Sequence, residues 1–377
     1  MQKFDSIIIG SSPVALVESI HLAISGKKVL LIEKNNRLGG AWGSFDFGSY
    51  KNIEFGPHTI KPRPGLYKLL KNLGIKLVRV YPFPLRELNK SFFGIRFVPW
   101  NWRWFELTRM SIKESPFFYR TYLRVRFFLT LLTKIIEKIF FSKLQEILYI
   151  ESGTQNMVNH LSELAEYAGV KIKMNTSASE IHASTKNKKV EIITKKYKYL
   201  TDELVYTSGT NLDLIKIDEK SIKFDDNPQI HVELLLFIED TRPVNFSFVR
   251  SSDKDSIMKM FHNISPYVID KKNKEKNISV VLFRMHDEIA KDQQTIELVI
   301  EKLKGFGFVT KNARILDSKW INYSIPFRRQ ERIDALNNIT LPLIRGLYTY
   351  DLGISMLNNA DRWTDMLVWI KNNYQKV

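Results

Sequence analysis

The sequence predicts an α/β fold: a parallel sheet founded on an N-terminal βαβ unit, joined to a mixed α+β region with an antiparallel sheet. Three observations predict it. The apolar run Ile7-Ile8-Ile9 stops at Gly10, and a segment of helical periodicity leads from there to a second apolar run ending at Glu33. The second run is apolar nearly throughout, as strands buried on both faces are. Residues 231–287 alternate as antiparallel strands do.

Taken in order, Ser6 to Ile9 is a short β-branched strand. Pro13 to Ser25 is a helix, with proline where a missing N–H costs nothing, and Gly26 stops it. Val29 to Glu33 completes the βαβ unit. From Phe83 to Ile150 aromatic and basic residues intermingle, and Phe118 to Phe141 reads as one long helix. Gln155 to Tyr167 is an amphipathic helix, followed by strands at 170–174, 189–194 and 197–208. Further strands are expected at 231–239, 246–251, 279–285 and 346–350, and helices at 293–304 and 358–373.

Composition narrows the function. The 377 residues contain no cysteine, which excludes disulfides, thiolate metal sites, cysteine nucleophiles and a cysteine-linked cofactor. No metal site is expected. A cytoplasmic, reducing setting suits such a chain. The run at 7–9 is too short for a signal peptide. The greasiest segment, 122–141, has 127–133 as its longest stretch without a charge, far below the ~20 residues of a spanning helix. The formal charge of +17 favours anionic ligands, yet no nucleic-acid-binding motif accompanies it, so no nucleic-acid partner is expected. The basic, apolar stretch 113–146 either packs in its own domain or lies on an anionic membrane surface, which leaves peripheral membrane contact open.

The turn Gly10-Ser11-Ser12-Pro13-Val14-Ala15 approximates the dinucleotide fingerprint. Gly10 serves the tight turn, and Ala15 allows close helix packing. Ser12 stands where a second glycine is usual and adds a Cβ in the path of the pyrophosphate. Pro13 opens the helix whose positive end attracts phosphate. Glu33, at the end of the second strand, is placed to accept hydrogen bonds from a ribose.

The segment Glu33-Lys34-Asn35-Asn36-Arg37-Leu38-Gly39-Gly40-Ala41-Trp42-Gly43 resembles the second cofactor motif of flavoproteins of the glutathione-reductase type. Gly39-Gly40 would let the chain pass the cofactor without side-chain clash, and Arg37 can pair with phosphate. The segment Ile53-Glu54-Phe55-Gly56-Pro57-His58-Thr59 resembles the glycine-proline-histidine stretch of UDP-galactopyranose mutase. There the matching histidine lies beside the flavin, which makes His58 the candidate catalytic residue and Gly56 and Pro57 cofactor neighbours; a structural turn histidine is the other reading. Ser152 to Met157 resembles the glycine-containing segment before a helix in amine and protoporphyrinogen oxidases. In Asn175 to Ile181, Ala178 takes the position that contacts adenine, and in Gly346 to Asp351, Asp351 matches the acid that meets the ribityl chain. Tyr350 replaces the usual glycine before it.

The resemblance implies FAD as cofactor and a discontinuous glutathione-reductase-type Rossmann domain made of residues 1–80, 151–215 and 335–377. It implies a mixed α+β substrate domain from 81–150, with a helical insertion, and 216–334. It implies an FAD-dependent oxidoreductase, or a redox-neutral mutase, acting on a small or nucleotide-sugar-like molecule. Arg328 and Arg329, just after the aromatic stretch 320–326, are the candidate substrate ligands. The alternative is a flavin-free binding protein like the Rab GDP-dissociation inhibitors, which share the fold. Oligomeric state is not legible.

Overall fold

The computed structural model describes residues 1–48, 50–54, 70–71, 74–80, 85–91, 94–99, 147–150, 153–206, 214–223, 229–242, 244, 248–251, 257–265, 277–286, 288–325, 343–346 and 360–374. The chain divides into two compact units. One holds Met1–Val78, Tyr149–Gln229 and Ser324–Val377; the other holds Arg79–Leu148 and Ile230–Tyr323.

The first unit is built on the βαβ start: β1 (Gln2–Ile9), α1 (Pro13–Ile24) and β2 (Val29–Ile32). A single 3-10 turn (Gly40–Trp42) leads to the hairpin β3 (Ser44–Phe47) and β4 (Tyr50–Glu54). After the chain returns come α2 (Thr154–Tyr167), β9 (Lys171–Lys173), β10 (Ala178–Ser184), β11 (Lys189–Thr194) and β12 (Lys198–Tyr206). A second hairpin, β13 (Leu214–Ile217) and β14 (Lys220–Lys223), follows, and β20 (Ile344–Gly346) and α4 (Ala360–Asn373) end the unit.

Five strands run parallel in the order β9-β2-β1-β12-β20. The order reverses at β1, with β2 on one side and β12 on the other. In open parallel sheets a ligand site lies outside the carboxyl ends at such a reversal. The carboxyl end of β1 is the Gly10 turn. β12 is long enough to serve two neighbours on one edge: residues 198–201 pair antiparallel with β11, and 204–206 pair parallel with β20. β10 and β11 thus branch off as an antiparallel ribbon, extended by β13 and β14.

Burial explains the composition of these elements. All four residues of β2 are buried, and so are Ile7, Ile8 and Ile9. α1 buries Val14, Ala15, Leu16, Val17, Ile20 and Leu22, because the sheet, α2 and α4 surround it. One side chain among them is charged. Glu18 is 2% exposed, and its two carboxylate oxygens accept from Arg345 on β20 and, at 2.6 Å, from Arg362 on α4. Arg345 also reaches Glu203 of β12, which takes Lys27 at 2.7 Å and the Ser6 hydroxyl at 2.9 Å. Charge thus joins α1 to segments more than 320 residues away in sequence.

Before the second unit's main strands come β5 (Leu77–Val80), β6 (Leu85–Ser91), β7 (Gly94–Pro99) and β8 (Ile147–Ile150). The rest are β15 (Gln229–Glu239), β16 (Phe248–Ser251), β17 (Met258–Asn263), β18 (Ile278–Met285), α3 (Gln293–Gly305) and β19 (Arg314–Ile325). Its seven-stranded sheet runs β19-β15-β18-β17-β16-β6-β7. α3 lays Ile296, Val299, Ile300 and Leu303 on one face, against Leu234, Leu236, Val281 and Phe283. Asp292 caps that helix through Thr295 N–H at 2.8 Å.

Several elements depart from the sequence reading. β1 starts four residues before Ser6, because Gln2 to Phe4 pair with Tyr199 to Thr201. β10 carries small residues and a register shift between Ala178 and Glu180, which breaks any simple alternation. β19 mixes Arg314, Asp317 and Lys319 with apolar residues and so gives no strand signal. The last β-strand begins at Ile344 rather than Gly346, and the described part of the last helix spans Ala360–Asn373. The long helix expected at 118–141 lies outside the described residues. Among the described residues no helix is long and apolar enough to cross a membrane, and no cluster of His, Asp and Glu could hold a metal ion.

Candidate nucleotide-binding site

Three segments meet at the carboxyl end of β1. The first is the turn itself. Gly10 has φ +102°, a conformation that side chains resist, and its N–H bonds Ile32 O at 2.9 Å. Ser12 is the N-cap of α1, its hydroxyl accepting from Ala15 N–H at 3.3 Å. Pro13 occupies the first helical position, so the turn presents few N–H groups that need a partner. Val14 N–H has no intrahelical acceptor, as expected of a first turn.

The second segment is Glu33. Its side chain is 4% exposed, yet it carries a carboxylate. One oxygen accepts from the Ser11 hydroxyl at 2.6 Å and the other from Asn35 N–H at 2.9 Å. A carboxylate has about four lone-pair positions, so acceptor capacity is left over. The backbone around it is tied to the segment that carries Ala178: Glu33 N–H bonds Lys173 O, and Thr176 N–H bonds Glu33 O at 2.8 Å. Ala178 itself is buried at the start of β10, in the same core as Ile7, Leu30 and Ile32.

The third segment is the glycine pair. Gly39 has φ +109° and Gly40 +56°. A Cβ on Gly39 would lie 3.0 Å from Gly43 backbone atoms and 3.1 Å from Val158 Cγ2, so this glycine is required by packing as well as by conformation. Gly39 N–H bonds both the Ser11 carbonyl, at 3.1 Å, and the Ser11 hydroxyl, at 3.0 Å. Ala41 is half-buried and Trp42 buried in the 3-10 turn that follows.

Other candidates are placed differently. Lys34 is exposed. Arg37 is engaged with the β3–β4 hairpin, donating to Asn52 Oδ1 at 2.9 Å and lying 3.8 Å from Asp46. Asp46 is held below the usual carboxylate range by the Asn52 N–H and by Lys51 and Arg37. Gly56, Pro57, His58, Arg328, Arg329 and Asp351 lie outside the described residues.

The structure also assigns roles that the sequence did not announce. Ser11 is filler in a fingerprint, but here it bonds two of the three segments. The first turn of α2 holds the hairpin at its open end, where Ser44 and Glu54 pair: Gln155 Oε1 accepts from Ser44 N–H and hydroxyl at 3.2 Å, and Glu54 accepts from Thr154 N–H at 2.7 Å. No local sequence signal announces that pairing, because the residues around Gln155 and Glu54 are themselves largely polar.

Residues 8–73 match the family model described as an NAD(P)-binding Rossmann-like domain. No curated protein matches the chain. Among solved structures, the putative protoporphyrinogen oxidase from Exiguobacterium sp. 255-15 superposes with a TM-score of 0.62 at 13% identity, covering 98% of each chain. A reduced UDP-galactopyranose mutase gives 0.62 at 13% identity, over 92% of this chain and 88% of its own. Putrescine oxidase with bound putrescine gives 0.60 at 11% identity, over 97% and 99%. The chain therefore has the mixed α/β fold, with a Rossmann-like nucleotide-binding domain and several sheets, that these oxidases share with the mutase.

Proposed function

We propose that the chain is an FAD-dependent enzyme, an oxidoreductase or a redox-neutral mutase acting on a small molecule. One observation carries the reading. A buried carboxylate, Glu33, stands at the end of β2 beside the N-terminus of α1, with acceptor capacity to spare. A lone buried acid costs stability unless hydrogen bonds compensate, and a polar ligand would supply more of them.

The residues fit a dinucleotide. Glu33 would hold the adenosine ribose, and the first turn of α1, from Gly10 to Ala15, would receive the pyrophosphate. Gly40 borders open space and, without a side chain, leaves it clear, while Gly39 lets the chain pack closely on Gly43 and Val158. Ser12 narrows the approach by one Cβ and already spends its hydroxyl on Ala15 N–H. FAD rather than NAD is favoured by the Glu33-to-Gly43 segment, which resembles the second flavin motif. The bound flavin would supply electron or hydride transfer, or nucleophilic catalysis, while the protein supplies binding and orientation. His58, which follows Gly56-Pro57 in the sequence, is the residue proposed to face the reacting group, with Arg328 and Arg329 as substrate ligands. The similarity of 53–59 to the mutase segment makes a UDP-sugar the first substrate to test.

The test is the colour of the purified 377-residue protein. An absorbance band near ~450 nm, released as FAD on denaturation, supports the reading. A colourless protein that takes up no FAD on titration supports the flavin-free binding protein instead.

A further inference from the structure

Ser11 is the residue on which the candidate site converges, and no side of the fingerprint requires a hydroxyl there. It is 1% exposed. Its hydroxyl donates to Glu33 Oε2 at 2.6 Å and accepts from Gly39 N–H at 3.0 Å. Its carbonyl accepts from the same N–H at 3.1 Å. One side chain thus ties the β1–α1 turn, the acid at the end of β2 and the glycine pair.

We propose that Ser11 is a positioning residue that aims the Glu33 carboxylate at the ribose hydroxyls of a bound adenine nucleotide. This rests on the nucleotide-binding reading above. The terminal torsion of a glutamate is broad, so packing alone leaves the carboxylate plane poorly set. Here each oxygen has one donor from the protein: Ser11 Oγ–H on Oε2 and Asn35 N–H on Oε1. Asn35 is exposed, so its N–H can turn to water, whereas the buried Ser11 cannot. With both donors in place the plane is fixed, and the remaining lone pairs point in set directions. Two neighbouring hydroxyls on a sugar present donors in a matching fixed relation. Without Ser11 the carboxylate loses its set orientation. General attraction then survives while discrimination between sugars is lost.

The prediction concerns a ratio of affinities, which a purely structural role would leave unchanged. Titrate the 377-residue chain, freed of any bound flavin, with ADP and with 2′-deoxy-ADP by calorimetry. The wild type should prefer ADP by about 10-fold or more, the worth of one hydrogen bond to a charged group. Ser11→Ala should bring the two affinities within about threefold of each other. Ser11→Thr, which keeps the hydroxyl, should retain the preference. Ser11→Cys, nearly the same shape with a weak donor, should lose most of it and serves if the alanine variant does not fold. A wild-type preference that persists in both the alanine and the cysteine variants overturns the role of Ser11 and leaves nucleotide binding standing. Equal wild-type affinities for the two nucleotides overturn the aimed carboxylate. No ADP binding by the wild type overturns the nucleotide reading along with it.

Discussion

Replacing Glu33 by alanine separates cofactor binding from fold stability, because the two costs differ in size. In the cofactor-free chain the carboxylate has two hydrogen bonds, to Ser11 and to Asn35 N–H. Asn35 is exposed, so its N–H recovers a partner in water. The Ser11 hydroxyl still accepts from Gly39 N–H and loses only its acceptor. The variant also escapes the cost of holding a charge that is 4% exposed. The net loss in fold stability should therefore be about 1–2 kcal/mol. In the complex the losses do not offset. Two ribose hydroxyls would each forfeit a bond to a charged acceptor, about 3 kcal/mol or more together, or roughly 150-fold in affinity. Purify both proteins, dialyse them extensively, and compare the flavin-to-protein ratio. Then titrate FAD into each and record the melting curve without flavin. Equal ratios and affinities within threefold would refute the assignment of Glu33. A collapse of the flavin-free melt would show instead that Glu33 is chiefly a scaffold residue.

Four further outcomes follow from the geometry. Gly39→Ala should destabilise the chain by about 1–3 kcal/mol in denaturant melts, because φ is +109° and the new Cβ would press on Gly43 and Val158; an unchanged midpoint would contradict the packing described. Glu18→Gln should cost about 2–3 kcal/mol, less than a wholly buried pair, since Arg345 and Arg362 are 29% and 27% exposed and can turn to water; chemical denaturation showing less than about 0.5 kcal/mol would mean that the two arginines gain nothing from the acid. Ser12→Gly should keep or tighten FAD affinity while costing a few tenths of a kcal/mol in stability, because glycine is nearly as good an N-cap and clears a Cβ; a markedly weaker titration would reveal a contact made by the hydroxyl. Burial pushes the Glu203 carboxyl up, but hydrogen bonds from Lys27 and Ser6, with Arg345 nearby, hold it below its ordinary value. A depressed carboxyl stabilises the fold above its unfolded-state value and loses that contribution as pH falls through the folded value. The stability gap between wild type and Glu203→Gln should therefore be constant from pH 7 to about 5 and close below it, and a gap that widens on acidification would refute the pairing.

How much was legible varies residue by residue, for physical reasons. The βαβ start was plain, because its signals are local: Gly10 must take a positive φ, Pro13 suits a first helical turn, and β2 is apolar throughout because both faces are covered. The adjacency of Glu33 to the turn also follows from sequence, since parallel strands joined by one helix end side by side. The β10 and β19 strands were not legible. Their stability comes from neighbours on either side, not from propensity, and a register shift or a half-exposed face erases the alternation.

The sequence alone thus determined the chemistry within reach of the first βαβ unit, where short-range periodicity and glycine geometry dictate the chain path. Only the tertiary structure decided which hydroxyl bonds Glu33, that Arg37 turns to Asn52 and Asp46, and that α2 grips the hairpin through Gln155 and Glu54. It alone joined Glu18 to arginines at the far end of the chain. Hydrogen bonds and ion pairs act within about 3–4 Å whatever the separation in sequence, so their partners become defined only when the sheet closes and brings distant strands into register.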